Sequence, residues 1–132
     1  MKEKTYVHSP SDIDGFRVIQ NGEEIKQALL KDETVYHWEG GDSLSPLIND
    51  MEYCRITPIN REDVAVGDCV FCEIAYHFPD GRDINLPMVH RCTDIVERDG
   101  ELWFRIDSTH GDHFGWTTNV YGRAIGTNIY QR

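Results

Sequence analysis

Apolar and polar positions alternate through most of this chain, and a helical period shows at one place only. Phe16-Arg17-Val18-Ile19-Gln20, Thr34-Val35-Tyr36-His37-Trp38 and Tyr53-Cys54-Arg55-Ile56-Thr57 have the two-residue period of short strands. Asp68 to Tyr76 is a longer β-rich run, Pro87 to Val96 another, and Leu102 to Ile106 and Tyr121 to Ile129 complete the set. Turn residues separate them at Asn21-Gly22, Val64 to Gly67 and Phe78-Pro79-Asp80-Gly81. Asp99-Gly100, flanked by β-formers, predicts a tight hairpin, and a loop is expected through Gly111 and Gly115. Glu23 to Lys31 is the one predicted helix. Ile25, Leu29 and Leu30 share its apolar face, acids lead it and Lys31 closes it, as the helix dipole favours. Residues 1–15, with Ser9-Pro10-Ser11, read as a polar flexible arm. The expected architecture is one mainly β domain over residues 16–132 with a single N-terminal helix.

The bulk numbers narrow the function classes. At 132 residues the chain suits one domain with a core of its own. A formal charge of −10 repels phosphate backbones, and no basic cluster offsets it, so nucleic acid is not an expected partner. No apolar run reaches the roughly 20 residues of a membrane helix, and Met1-Lys2-Glu3-Lys4 lacks the apolar core of a secretory signal. A soluble cytoplasmic protein is the expectation. The four cysteines then read as free thiols rather than a disulfide framework. Oligomeric state is not legible from these features.

Candidate chemistry concentrates in three places. Gly41-Asp42-Ser43-Leu44-Ser45-Pro46 sets a hydroxyl in a tight turn between two strands. Val89-His90-Arg91 supplies an imidazole, and Gly111-Asp112 a carboxylate. A serine nucleophile needs a neighbouring base, and that base gains from a third group that orients it. Each residue also has a plainer role. Ser43 can stabilise its own turn, His90 can sit on a sheet surface, and Asp112 can cap its own backbone.

Taken in order, these landmarks resemble the superfamily of type I signal peptidases and LexA-like self-cleaving repressors. The serine turn is similar to that family's Gly-x-Ser-Met-x-Pro, with Leu44 in place of methionine. Gly67-Asp68-Cys69-Val70-Phe71 matches its "GD-V-F" segment, and Val89-His90-Arg91-Cys92 resembles the "V-H-R-V" of the histidine-base, endoplasmic-reticulum and archaeal type. Gly111-Asp112-His113 stands where the family has Gly-Asp-Asn, and Gly122-Arg123-Ala124-Ile125-Gly126 resembles its terminal Gly-x-x-x-Gly strand. The likeness runs from about Trp38 to Thr127, without a membrane anchor. It implies a coiled, partly open β-barrel and a peptide-bond hydrolysis or self-processing reaction. Ser43 would be the nucleophile and His90 the base, with Asp112, or second Asp107, as the orienting acid. The Ser43 N–H and a neighbour in the Gly40-Gly41 turn would form the oxyanion hole, with Leu44 and Pro46 shaping a groove for an extended peptide. No metal or cofactor is implied. The alternative is an inactive member of the same fold that binds a protein partner through its groove or a sheet edge.

Two further constellations point less clearly to chemistry. Cys69-x-x-Cys72 has knuckle spacing, but residues three apart on a strand face opposite ways, so buried structural thiols are expected. His110-x-x-His113 lacks a second ligand pair, and Trp38, Trp103 and Trp116 are expected as core or groove aromatics.

Overall fold

The computed structural model describes residues 4–7 and 17–132. Among these residues nine strands and one helix follow in the order β1 (Thr5–Val7), β2 (Arg17–Val18), α1 (Gly22–Leu30), β3 (Val35–Trp38), β4 (Glu52–Pro58), β5 (Cys69–His77), β6 (Asp83–Arg98), β7 (Glu101–Asp107), β8 (His113–Thr117) and β9 (Val120–Gln131). A 3-10 turn at Arg61–Asp63 leads into β5. One sheet holds every strand in the order β2-β3-β4-β9-β5-β6-β7-β8, with β1 added in parallel to the end of β9. The end strands β2 and β8 do not pair with each other, so the sheet stays open.

The long strand β6 shapes the molecule. Its first half, Asp83 to Arg91, pairs with β5, and its second half, from Arg91 onward, pairs with β7. The partner changes at Arg91, and a register shift follows between Cys92 and Asp94. Bulges of this kind bend a strand and increase its twist. The β7–β8 hairpin therefore folds back over one face of β5, where Gly115 of β8 lies against Ile74. Alternation along β5 then separates two apolar layers. Cys69 and Phe71 join Ile25, Ala28 and Leu29 of α1 on one face, whereas Val70, Cys72 and Ile74 meet Phe104 and Ile106 on the other. Cys69 and Cys72 thus stand in different layers, as their spacing predicts. All four cysteines are buried and free.

Several predicted elements differ in detail. Asn21 is not a turn residue: its side chain accepts the Glu24 N–H at 3.0 Å and caps α1. The buried helical face is Ile25, Ala28 and Leu29, and Leu30 is exposed. Thr5–Val7, expected within a flexible arm, pairs with Ile129 to Gln131. Residues 1–3 and 8–16 lie outside the described residues. The expected loop through Gly111 and Gly115 contains β8, whose strand signal is diluted by histidine and glycine. The Asp99-Gly100 hairpin is present, with φ of 53° and 81° at its two central residues.

Two glycines of β9 admit close neighbours. A Cβ at Gly122 would lie 2.9 Å from Ile56 and 3.0 Å from both Leu29 and the Thr57 carbonyl. One at Gly126 would lie 2.6 Å from Glu52 Oε2 and 3.0 Å from the Leu47 carbonyl. The backbone atoms in these contacts cannot rotate away. Gly126→Ala is therefore expected to cost about 1–3 kcal/mol in urea unfolding, the range for forced overpacking. A loss within experimental error would show that the contact relaxes freely.

Candidate functional site

The turn after β3 is held from three sides. Gly41, at φ 99°, directs its N–H to Asp50 Oδ1 at 2.6 Å. Inside the turn, Ser45 N–H donates to Asp42 O, and Leu47 and Ile48 N–H both donate to Leu44 O, one tight helical turn. Leu44 is buried in the α1 layer with Ile48, so it anchors the turn from below. Behind it, buried Glu52 accepts Asn49 N–H through Oε1 at 2.9 Å and Asn128 N–H through Oε2 at 2.8 Å. Asn49 in turn accepts the Ser45 hydroxyl at 2.9 Å.

The third support is the tip of the β7–β8 hairpin. Thr109 donates its N–H to Ser43 O at 2.8 Å, and its hydroxyl lies within bonding distance of Ser43 O and Ser45 O. His110 Nε2 lies 2.9 Å from Asp42 O. Ser43 is thus fixed through its carbonyl. Among the described residues its hydroxyl and its N–H have no hydrogen-bond partner.

His90 stands on β6 opposite Val70, one residue before the exchange of partners. Its ring stacks on Phe114 of β8, with centroids 4.1 Å apart and planes 18° from parallel. Nδ1 is buried without a partner. Burial pushes the His90 pKa below the ordinary histidine value, and the charge of Glu39 opposes that shift. Arg91 pairs with Asp107, two residues before the Thr109 that holds Ser43. Ser43 and His90 both border the β7–β8 hairpin, Ser43 through Thr109 and His90 through Phe114, and among the described residues no hydrogen bond joins them.

The two aspartates are engaged elsewhere. Asp107 is buried and accepts from Thr93 Oγ1, from Arg105 Nε at 3.0 Å and from His113 Nδ1 at 2.6 Å. Burial works to raise its pKa, but the bonds from Thr93 and His113 and the Arg105 charge outweigh it and hold it low. Asp112 accepts the Ser108 hydroxyl at 3.3 Å and closes the hairpin loop. Neither carboxylate hydrogen-bonds His90. Gly41 N–H, bound by Asp50, is not free to donate to an oxyanion, and Leu44 is a core residue rather than a groove edge. Pro46 is exposed.

The acid whose charge acts on His90 is Glu39, which the sequence reading passed over. It ends the β3 run and lies 3.0 Å from His37 Nε2, while His37 Nδ1 lies 2.9 Å from Ile19 O. The available signal was the spacing His37-x-Glu39, which puts both on one face of the strand ahead of Gly40-Gly41. Among the described residues no group of His, Cys, Asp and Glu is arranged to hold a metal ion. No helix is long and apolar enough to cross a membrane. Comparison of the chain with protein-family models, with curated proteins and with solved structures finds no match.

Two outcomes test this electrostatic picture. Glu39→Gln removes the one charge that supports protonation of His90, so the NMR titration of the His90 ring should move further down; an upward move would contradict it. Because the folded His90 pKa lies below its unfolded value near 6.5, the associated stability is complete above that pH. It is lost as pH falls through the folded value. Urea unfolding from pH 7.5 to 5 should therefore decline less steeply in His90→Gln than in the parent, and parallel declines would show that His90 is not the linked group.

Proposed function

We propose that this chain is a serine hydrolase of the signal peptidase and LexA-like type, acting on peptide bonds with Ser43 as nucleophile and His90 as base. What supports the reading is that the two groups both border the β7–β8 hairpin and that neither is engaged. The Ser43 hydroxyl has no hydrogen bond, and His90 has a buried ring nitrogen without a partner. Buried polar atoms are nearly always satisfied, so the orphaned His90 nitrogen suits a site completed by substrate.

In this reading Ser43 Oγ attacks the scissile carbonyl as His90 takes its proton, forming a tetrahedral intermediate. His90 then returns the proton to the leaving amine, and water releases the acyl group by the reverse proton path. The free Ser43 N–H would face the oxyanion. Burial favours neutral imidazole, the form that accepts a proton at neutral pH. Glu39 supplies the negative charge that steadies His90 once protonated, a role the resemblance gives to an aspartate. Hydrogen bonds between catalytic groups often tighten only when substrate is bound, which accords with an unliganded pair lying apart.

One observation favours the non-catalytic alternative, a binder of a protein partner on the same scaffold. Gly41 N–H is already engaged by Asp50, so one of the two candidates in the Gly40-Gly41 turn for the second oxyanion donor is taken. A fluorophosphonate probe separates the two readings. The hydrolase reading expects adduct at Ser43, lost in Ser43→Ala and slowed at least about 10³-fold in His90→Gln. Absence of adduct at millimolar probe in a folded protein would instead establish the binder.

A further inference from the structure

Hydrogen bonds do not fix the plane of the His90 ring. Among the described residues Nδ1 is buried without a partner, and no bond reaches Nε2 either. A general base gains from a group that orients it and supports its charged form, and no carboxylate is bonded to this one. The ring that lies on it is Phe114, its plane 18° from parallel and its centroid 4.1 Å away.

Phe114 does not serve the core. On β8 the inward positions are Gly115, against Ile74, and buried Thr117, whereas Phe114 stays 37% exposed. Both of its neighbours are fixed. His113 Nδ1 lies 2.6 Å from buried Asp107, which Thr93 and Arg105 also hold. Gly115, at φ 142°, lets β8 approach β5, since a Cβ there would lie 3.3 Å from Ile74. Asp107 and Gly115 thus set the strand that seats an aromatic face on the imidazole.

A phenyl ring is negative over its face, so it attracts a cation held within about 6 Å of its centroid. Neutral imidazole gains contact from the stack, and imidazolium gains that attraction in addition. The stack therefore favours the protonated form. Around it, Val70 on the opposite strand is apolar, and the Cys72 thiol on the same face is kept neutral by burial. His113 is bound to Asp107, and Glu39 supplies the negative charge.

We propose that Phe114 is a positioning residue for the Ser43 reaction: its ring face holds the imidazole plane and supports the positive charge that His90 acquires with the Ser43 proton. This rests on the hydrolase reading, in which His90 is the base. The proton passes from Ser43 Oγ to His90 and on to the leaving amine, and Phe114 exchanges nothing.

The test varies the ring face and little else. In the full chain Phe114 is replaced by phenylalanines carrying one, two, three and five ring fluorines, each of which withdraws charge from the face. NMR follows the His90 titration, and a reactive ester reports Ser43 acylation at pH 8. The His90 midpoint is expected to fall stepwise, by about 0.4 pH unit or more across the series. Acylation should slow about two- to fivefold in parallel. Phe114→Leu, which keeps apolar cover without an aromatic face, should lower the midpoint too. A midpoint that stays level through the fluorine series overturns the proposal. So does a rise in Phe114→Leu, which would make Phe114 a desolvating cover and no more. The two ideas fail separately. A titration that steps with fluorine in a protein whose Ser43 takes no acyl group removes the hydrolytic role, and intact acylation over a level titration removes Phe114 alone.

Discussion

Glu52 is the buried carboxylate on which the candidate site rests. One of its oxygens holds Asn49 at the end of the Ser43 turn, and the other holds Asn128 near the end of β9. Asn128 takes a left-handed backbone, φ 65°, at the point of attachment. Gly126 leaves the space through which the carboxylate passes, with no room for a Cβ. Bonds from backbone N–H groups to an ionised acid are among the stronger neutral-to-charge contacts in proteins. Through this clamp the last strand positions a turn about eighty residues earlier in the chain, as the |i−j| separation of 76 between Glu52 and Asn128 reflects.

The opposite side of the turn depends on topology. Because β6 changes partner at Arg91, the β7–β8 hairpin returns over β5 and presents Thr109 to Ser43. The same exchange leaves His90 under Phe114 and Arg91 on the reverse face, beside Cys69. Ordinary strand alternation sends these two adjacent polar side chains to opposite faces of the sheet. Each retains a buried atom without a hydrogen-bond partner among the described residues. Elsewhere, buried polar groups are matched: Glu73 meets Lys26 at 3.1 Å and Tyr121 at 2.7 Å, and Asp107 has three donors.

Local signals made much of the fold legible from sequence. Period-two alternation marks β3, β4, β5 and β7, and Asp99-Gly100 marks its hairpin, because strand faces and positive-φ turns constrain residue type directly. The helix face was misjudged at Leu30, since residues 28 and 30 differ by half a turn and only packing decides between them. β8 went unseen because His113 and Gly115 carry little β preference, and the strand exists through pairing with β7. Of the candidate site, the turn at Ser43 and the strand position of His90 were legible as local structure. Its carboxylates were not, because hydrogen-bond assignments such as Asp107 to His113 depend on strand register. Glu39 reaches His90 electrostatically across the fold, from a separation of 51 residues, which spacing alone does not reveal.

The central claim is that Ser43 and His90 act as one chemical unit. It is tested most directly by measuring the rate of Ser43 acylation by a reactive ester against pH, alongside the NMR titration of the His90 ring in the same protein. The account predicts one acid limb whose midpoint lies below 6.5 and coincides with the His90 titration. Acylation that ignores the His90 titration, or a Ser43 that takes no acyl group at any pH, would contradict it.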